Sequence, residues 1–181
     1  DSIDREIFFT GYYEEKQIQY LIENIKKYNI NRFIDVGANI GVYALTIANS
    51  VPNITVDAFE PHKGAFKRME VNVKQNNFSN IITCHNLALS DENKEGYLLA
   101  SSRFGEYQSG GAKLSTEGKM KIKQVCGDNV LKDINNTIAI KVDVEGLELL
   151  VLKGIANLIK NNRIFLQIEI FDQEFVKTSS F

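Results

Sequence analysis

The chain has 181 residues and is 44% hydrophobic, which is enough for a single domain with a buried core. Its net charge of −2, from 21 basic and 23 acidic residues, gives no electrostatic reason to expect a nucleic-acid partner. No apolar run reaches the roughly 18 residues of a membrane span, so we expect no span and a cytoplasmic location. Cys84 and Cys126 lack Cys-x-x-Cys spacing, which indicates neither a zinc site nor a disulfide framework. The first residue is Asp1 and not Met, which suggests a trimmed chain or a piece of a longer polypeptide.

The first half of the chain predicts helices that alternate with strands. Residues 14–28 place a regular apolar stripe on one face of an amphipathic helix, made of Ile18, Leu21, Ile22 and Ile25. Strands are predicted at residues 33–36, 54–59 and 81–84, and further helices at residues 41–50 and 62–76.

The second half begins with a change of pattern. Residues 92–127 predict an inserted hairpin, in which short strands at 96–100 and 120–125 flank a long polar loop at 101–118. A strand rich in β-branched residues is predicted next, followed by a helix and a last strand, at residues 138–144, 146–160 and 164–171.

This order of elements predicts one α/β domain over residues 1–181, with residues 1–30 as a leading helical segment. Strand–helix–strand units connect right-handedly into a parallel sheet with helices on its faces. We therefore expect a Rossmann-like three-layer α/β/α sandwich with a mostly parallel sheet. The pattern fades after residue 171, so the C-terminal strands usual for this fold are not recognised.

A glycine-rich turn follows the first predicted strand. Gly37 and Gly41 let the backbone turn tightly and approach a ligand, with Asp35 before them and Asn39 between them. The Gly-x-x-x-Gly spacing differs from the Gly-x-Gly-x-x-Gly of a dinucleotide site. Glu60 ends the second strand, 25 residues after Asp35, where a carboxylate can accept both hydroxyls of a ribose. The alternative is that Glu60 only stabilises the start of the next helix.

Charged side chains alternate along the fourth predicted strand of the sheet. Lys141, Asp143 and Glu145 share one side of this strand, and Gln167 and Glu169 share one side of its neighbour. Buried carboxylates must pair, become neutral or face a cavity. We expect Lys141 to pair with a carboxylate such as Glu169, and Asp143 to act on a ligand because it stands at the strand tip.

Four segments together closely resemble the FkbM family of S-adenosylmethionine-dependent methyltransferases: DVGANIG at 35–41, FEP at 59–61, ALSD at 88–91 and IKVDVEGLE at 140–148. The resemblance runs from about residue 10 to 170, and the last segment is its specific part. It implies a fold of the class I methyltransferase type, S-adenosylmethionine as cofactor, and methyl transfer to hydroxyl oxygens of sugars or polyketide-type natural products.

The same resemblance assigns the cofactor contacts. It implies that residues 37–41 hold the methionine part of S-adenosylmethionine with support from Asp35, and that Glu60 binds the ribose. Ala88 and Leu89 would line the adenine, with Asp91 nearby.

The catalytic assignment rests on three carboxylates. Asp143 would lie beside the reacting methyl group and is our first choice for the general base, with Glu145 second. Glu169 is predicted to serve as an alternative carboxylate that holds the substrate. His62, at a helix start, and His85, at a strand end, are alternative bases, but each is expected to be structural. The three acids could hold Mg²⁺, but acids beside a cofactor methyl need no ion to explain them, so no metal is expected.

Two other classes of function stay open. A nicotinamide-dependent oxidoreductase would share the sheet and the ribose acid, although its third glycine is absent here. A non-catalytic domain that binds a cofactor or a partner within a larger protein is the second alternative. A nucleic-acid amino methyltransferase is disfavoured, because the only prolines, Pro52 and Pro61, lie far from the fourth strand. The expected acceptor is a small molecule or a glycan.

Overall fold

The computed structural model describes residue 9 and residues 11–103, 106–115 and 120–169, with the backbone alone for 99–103 and 106–115. The strands, in chain order, are β1 (Arg32–Val36), β2 (Thr55–Phe59), β3 (Ile82–His85), β4 (Ala88–Ser90), β5 (Lys94–Arg103), β6 (Glu106–Ser115), β7 (Met120–Cys126), β8 (Thr137–Val142) and β9 (Arg163–Ile168). The helices are α1 (Glu15–Lys27), α2 (Val42–Ser50), α3 (Lys63–Gln75), α4 (Gly127–Val130), α5 (Glu148–Gly154) and α6 (Ala156–Asn161).

The main sheet is parallel throughout, with the strand order β3-β2-β1-β8-β9. Residues of opposite parity on β1 face opposite sides of the sheet, so that Phe33 and Ile34 are both fully buried in different clusters. Helices α1, α2 and α3 cover the cluster around Phe33, and α5 and α6 cover the cluster around Ile34. The predicted three-layer α/β/α sandwich is therefore confirmed.

The helical predictions hold for the leading segment and fail in one place. The stripe predicted on α1 is buried: Ile18, Leu21, Ile22 and Ile25. The continuous helix predicted at 146–160 is wrong, because it begins at Glu148 and is divided at Ile155. Gly154, the last residue of α5, lies against the carbonyl of Ser90 so closely that a Cβ would stand 1.7 Å from that oxygen.

The inserted segment forms a second sheet with the order β4-β7-β5-β6. The predicted hairpin is confirmed in part, since β5 pairs antiparallel with β7. The long polar loop predicted at 101–118 is wrong over its described residues, because β5 and β6 pair antiparallel along most of this stretch. Backbone hydrogen bonds stabilise these strands. Their sequence is mostly polar and lacks the alternation of apolar residues from which a strand is predicted. Residues 104–105 and 116–118 of that predicted loop, and the end of the strand predicted at 164–171, lie outside the described residues.

Within the described ranges, no helix has the length and apolar character required to cross a lipid bilayer.

Candidate active site

A cavity of about 230 Å³ lies at the carboxyl ends of β1, β2 and β8. Parallel α/β sheets bind their ligands at this edge. Eight of the residues predicted from sequence line the cavity: Gly37, Asn39, Glu60, Ala88, Leu89, Asp143, Glu145 and Glu169. Three others are absent from its walls: Asp35, Gly41 and Asp91.

The amides of the glycine loop are used within the protein. Those of Gly37 and Ala38 both donate to the carbonyl of Phe59, each at 3.0 Å. The amide of Asn39 donates to Oε2 of Glu60 at 2.8 Å. These three amides are therefore taken up by bonds within the protein, and the bonds hold the loop against the end of β2.

Gly37 also brings the loop against the tip of β8. Its φ is +83°, and a Cβ at this position would lie 1.9 Å from the carbonyl oxygen of Asp143. The amide of Asp143 in turn donates to the carbonyl of Val36 at 3.1 Å. Glycine is needed here because two backbone segments touch.

Glu60 is a buried carboxylate whose two oxygens both accept backbone amides. Besides the bond from Asn39, Oε1 accepts from the amide of His62 at 2.7 Å. Burial raises the pKa of Glu60 to about 7, against the opposing effect of these amides. Each oxygen keeps a free lone pair, and the side chain lines the cavity. The same side chain can thus support the loop and the helix start and still bind a ligand.

Lys141 forms a buried charge cluster with two aspartates. Its Nζ lies 3.0 Å from Oδ2 of Asp143 and 3.8 Å from Oδ1 of Asp35, and it stands 4.6 Å from the centre of the Tyr43 ring. Burial alone would lower the pKa of Lys141, but the two carboxylates outweigh burial and raise it. Burial raises the pKa of Asp35 to about 6, although Lys141 opposes this.

The expectation that Lys141 pairs with a carboxylate is therefore confirmed, but its partners are Asp143 and Asp35 and not the suggested Glu169. Lys141 lies beside Asp35 in the register of β1 and β8, and Asp143 follows two residues later on the same side of the strand. On the other side of β8, the residue that the register places beside Lys141 is Gln167 of β9, and Glu169 follows two residues later.

Glu169 stands at the edge of the cavity, directly after β9. Its amide donates to the carbonyl of Val142 at 3.0 Å, which holds it beside the tip of β8. Partial burial and the neighbouring Asp143 carboxylate raise the pKa of Glu169 to about 7. Glu169 is thus a carboxyl group that can exchange a proton near neutral pH.

Glu148 holds the turn after β8. It belongs to the segment at 140–148, although no function was predicted for it from the sequence. Glu148 is buried, and its Oε1 accepts the amides of Val144 at 3.3 Å and Gly146 at 3.0 Å. Glu145, between them, adopts a left-handed conformation with φ of 56° and lines the cavity. The carboxylate of Glu148 therefore fixes the backbone that presents Asp143 and Glu145.

Sequence reasoning also missed Glu14 and Tyr43, which line the cavity from the helical side. The hydroxyl of Tyr43 donates to Oε2 of Glu14 at 2.5 Å, and Nε2 of Gln167 donates to that hydroxyl at 3.3 Å. Burial and the bond to Glu14 raise the pKa of Tyr43. One signal was available, because Tyr43 lies two residues after Gly41, in the first turn of the helix that follows the loop.

The remaining predicted residues have structural contacts. Asp91 is exposed and accepts a hydrogen bond from Oγ of Ser90 at 3.2 Å, and Gly41 precedes α2 with φ of +88° beside Met69. His62 caps α3, because its Nδ1 accepts the amide of Ala65 at 3.0 Å. The ring of His85 stacks on Phe59 at 4.4 Å, and its Nε2 is hydrogen-bonded to Asp57 at 2.7 Å. Both histidines thus have the structural contacts expected of them, and His62 also lines the cavity. Among the described residues, no group of three or more acidic, histidine or cysteine side chains could hold a metal ion.

A parallel sheet of this strand order, covered by helices on both faces and bearing an acidic cavity at its carboxyl edge, is the Rossmann-like arrangement that class I methyltransferases share. The chain belongs to the FkbM family of S-adenosylmethionine-dependent methyltransferases, since the methyltransferase FkbM domain matches residues 35–180. The resemblance seen in the sequence motifs is thereby confirmed. S-adenosylmethionine is the cofactor of this family.

Related proteins agree with this assignment. The chain is 32% identical over 152 residues to the hexuronic acid methyltransferase AglP of Haloferax volcanii, with 82% of this chain and 59% of AglP covered. It therefore spans about three fifths of that relative's length. Two solved structures share the fold at 11% identity. The precorrin-6y C5,15-methyltransferase of Geobacter metallireducens has a TM-score of 0.52, with 92% of this chain and 68% of that chain covered. An S-adenosylmethionine-dependent O-methyltransferase of Thermotoga maritima has a TM-score of 0.50, with 96% of this chain and 52% of that chain covered.

Proposed function

We propose that this chain transfers a methyl group from S-adenosylmethionine to a hydroxyl oxygen of a sugar or a related natural product. The observation that carries the proposal is the carboxyl pair at the cavity edge, in which Asp143 and Glu169 lie together and the pKa of Glu169 is raised to about 7 by burial and by Asp143. A hydroxyl group must lose its proton when it is methylated, and a carboxyl group of this pKa can accept that proton near neutral pH.

The residues of the cavity suit S-adenosylmethionine. Phe59, Leu87 and Leu98 contribute apolar surface appropriate to an adenine ring, beside the predicted Ala88 and Leu89. Glu60 has lone pairs left for ribose hydroxyls, and the acidic side chains favour the positive charge of a sulfonium. Asp35 and Gly41, which do not line the cavity, would act by supporting the loop.

When bound, S-adenosylmethionine would supply a methyl group carried on a positively charged sulfur. The sulfur is the leaving group and becomes a neutral thioether. Asp143, oriented by its bond to Lys141, would accept a hydrogen bond from the acceptor hydroxyl and align it. Glu169 would take the proton as the new oxygen–carbon bond forms. Of the three predicted carboxylates, we propose Glu169 as the general base, since burial and the neighbouring Asp143 raise its pKa to about 7.

Replacing Glu169 by glutamine is expected to lower turnover by about 10²–10⁴-fold and to leave cofactor binding intact. In the parent protein, turnover should rise about tenfold per pH unit up to about pH 7 and then level off, because the base acts only when it is deprotonated. The measurements are transfer of a labelled methyl group to a glycan extract across pH 5.5–8.5 and calorimetric titration with S-adenosylhomocysteine.

Glu95→Gln is the matched control, because Glu95 is an exposed carboxylate paired with Lys121 away from the cavity. This variant should keep both the turnover and its pH profile. An unchanged pH profile in Glu169→Gln would assign the base to another residue. Binding of S-adenosylhomocysteine with no methyl transfer to any extract would contradict the catalytic proposal itself.

The affinity for S-adenosylhomocysteine is expected to rise with pH up to about 7. Ribose hydroxyls would donate to ionised Glu60, whereas burial raises the pKa of the free side chain to about 7 and leaves it largely protonated below that pH. Each pH unit below 7 should therefore weaken binding by up to about tenfold. Calorimetry on the parent chain, Glu60→Gln and the exposed control Glu70→Gln tests this, and only Glu60→Gln should lose the dependence. An equal affinity at pH 5.5 and 8 in the parent would remove Glu60 from the ribose site.

A further inference from the structure

A second cavity, of about 330 Å³, adjoins the first on the side of α1 and β9. Its own walls include Gln17, Tyr20 and Gln167. The wall that the two cavities share consists of Glu14, Tyr43, Lys141, Asp143 and Glu169. Because the carboxyl pair of the proposed reaction belongs to this shared wall, a molecule in the second cavity would present its reactive group to Asp143 and Glu169. We call the second cavity the acceptor recess.

The shared wall carries three carboxylates and one cation. Glu14, Asp143 and Glu169 line the acceptor recess, whereas Lys141 is the one lysine or arginine among the described residues that do so. Lys141 is only 6% exposed, and its charge is already matched by Asp143 and Asp35. No positive charge on this described wall is left for an anionic ligand.

The ionisation of Glu169 indicates how the recess would treat a further negative charge. After burial, the neighbouring carboxylates Asp143, Glu14 and Glu145 all raise the pKa of Glu169. An added carboxylate at the same place would be disfavoured for the same reason, because like charges at close range repel strongly where water is partly excluded.

The other groups of the acceptor recess suit an uncharged, hydroxyl-rich molecule. Gln17 and Gln167 offer amide groups that both donate and accept hydrogen bonds. Tyr20 is 59% exposed and offers an aromatic face to the recess. Carboxylates and amides accept from hydroxyl groups, and an aromatic ring packs against the C–H face of a sugar.

We infer that the acceptor recess takes a neutral sugar and discriminates against a sugar acid, in contrast to the hexuronic acid in the name of the relative AglP. This inference rests on the proposed function, because it assigns the acceptor to that same methyl-transfer site. Glu14 is the residue that sets the specificity, since it adds a carboxylate to the wall and is not itself the proposed base.

The test compares glucose and glucuronate by saturation-transfer NMR at pH 8 and low salt, with and without S-adenosylhomocysteine. Glucose should bind at least about tenfold more tightly than glucuronate. Glu14→Gln should narrow this ratio several-fold, because glutamine can still accept from Tyr43 but carries no charge. The matched control is Glu15→Gln, an exposed neighbour outside both cavities, which should leave the ratio unchanged.

Glucuronate binding as tight as glucose, or the same ratio in Glu14→Gln as in the parent, would overturn the inference. Binding of neither sugar would overturn it as well, because the recess would then not be a carbohydrate site. Failure of S-adenosylhomocysteine to bind in calorimetry would instead refute the proposed function. Because the two sugars are also compared without that ligand, the test of the recess does not depend on cofactor binding.

Discussion

Gly37→Ala is expected to destabilise the domain by at least about 3 kcal/mol and to abolish turnover. The left-handed φ of +83° alone costs a non-glycine residue about 1–2 kcal/mol. The new Cβ would in addition lie 1.9 Å from the carbonyl oxygen of Asp143, which is backbone and cannot rotate away. The loop or the tip of β8 must therefore move, and with it the proposed catalytic pair. Urea unfolding followed by circular dichroism measures the change in free energy.

Gly11 provides the matched control for this substitution. Its φ is +79°, nearly that of Gly37, but a Cβ at this exposed position would have no atom within 4 Å. Gly11→Ala should thus cost only the conformational part, about 1–2 kcal/mol, and keep methyl transfer. Equal losses of stability in the two variants would mean that the contact with Asp143 relaxes without cost.

Lys141→Met is expected to destabilise the domain by about 3–5 kcal/mol at pH 8. The substitution leaves two aspartates without their cation, and one of them, Asp35, is fully buried. Methionine fills a similar volume, so the loss reflects charge and not a cavity. Urea unfolding at several pH values measures it.

The cost of Lys141→Met should shrink as the pH falls. Burial raises the pKa of Asp35 to about 6 even beside Lys141, above its ordinary value of 3.8. An acid with a raised pKa in the folded state lowers stability as pH rises through the interval between the two values. Without Lys141 the pKa of Asp35 rises further, so this decline extends above pH 6 in the variant. At pH 5 Asp35 is mostly protonated in both proteins, and their stabilities should converge.

A double-mutant cycle with Asp35→Asn isolates the pair. Asparagine is neutral at every pH, so the combination of Asp35→Asn with Lys141→Met should recover a large part of the stability lost at pH 8. Additive losses in the double variant would show that Lys141 stabilises the domain through Asp143 and Tyr43 alone. Glu92→Gln, on an exposed side chain paired with Lys94 and outside this cluster, serves as the control.

The order of the main elements could be predicted because hydrophobic residues recur with the period of a strand in the sheet and of a helix in α1. Periodicity fails where tertiary contacts decide the local structure. The end of α5 requires glycine at residue 154 because of the carbonyl of Ser90, which lies more than 60 residues earlier in the sequence. The pairing of β5 with β6 likewise depends on backbone hydrogen bonds between polar residues that carry no strand pattern.

The candidate site could be predicted in outline because polar residues at strand ends meet at one edge of a parallel sheet. Which charges pair there could not be predicted, since it depends on strand register. Asp35 lies beside Lys141 because β1 and β8 align these two positions, and a shift of one residue would have separated them. Glu14 lies just before α1 and reaches the cavity through its hydrogen bond with Tyr43. Nothing in the local sequence specifies that contact.

The amides of Gly37 and Ala38 are bonded to the carbonyl of Phe59 at the end of β2, and the amide of Asn39 is bonded to Glu60 just after it. The entropic cost of ordering this loop therefore falls on folding and not on binding, which favours affinity. Stability and affinity are linked as a result. A substitution at the end of β2 that frees these amides would loosen the loop and weaken cofactor binding, even if the altered side chain never touches the cofactor.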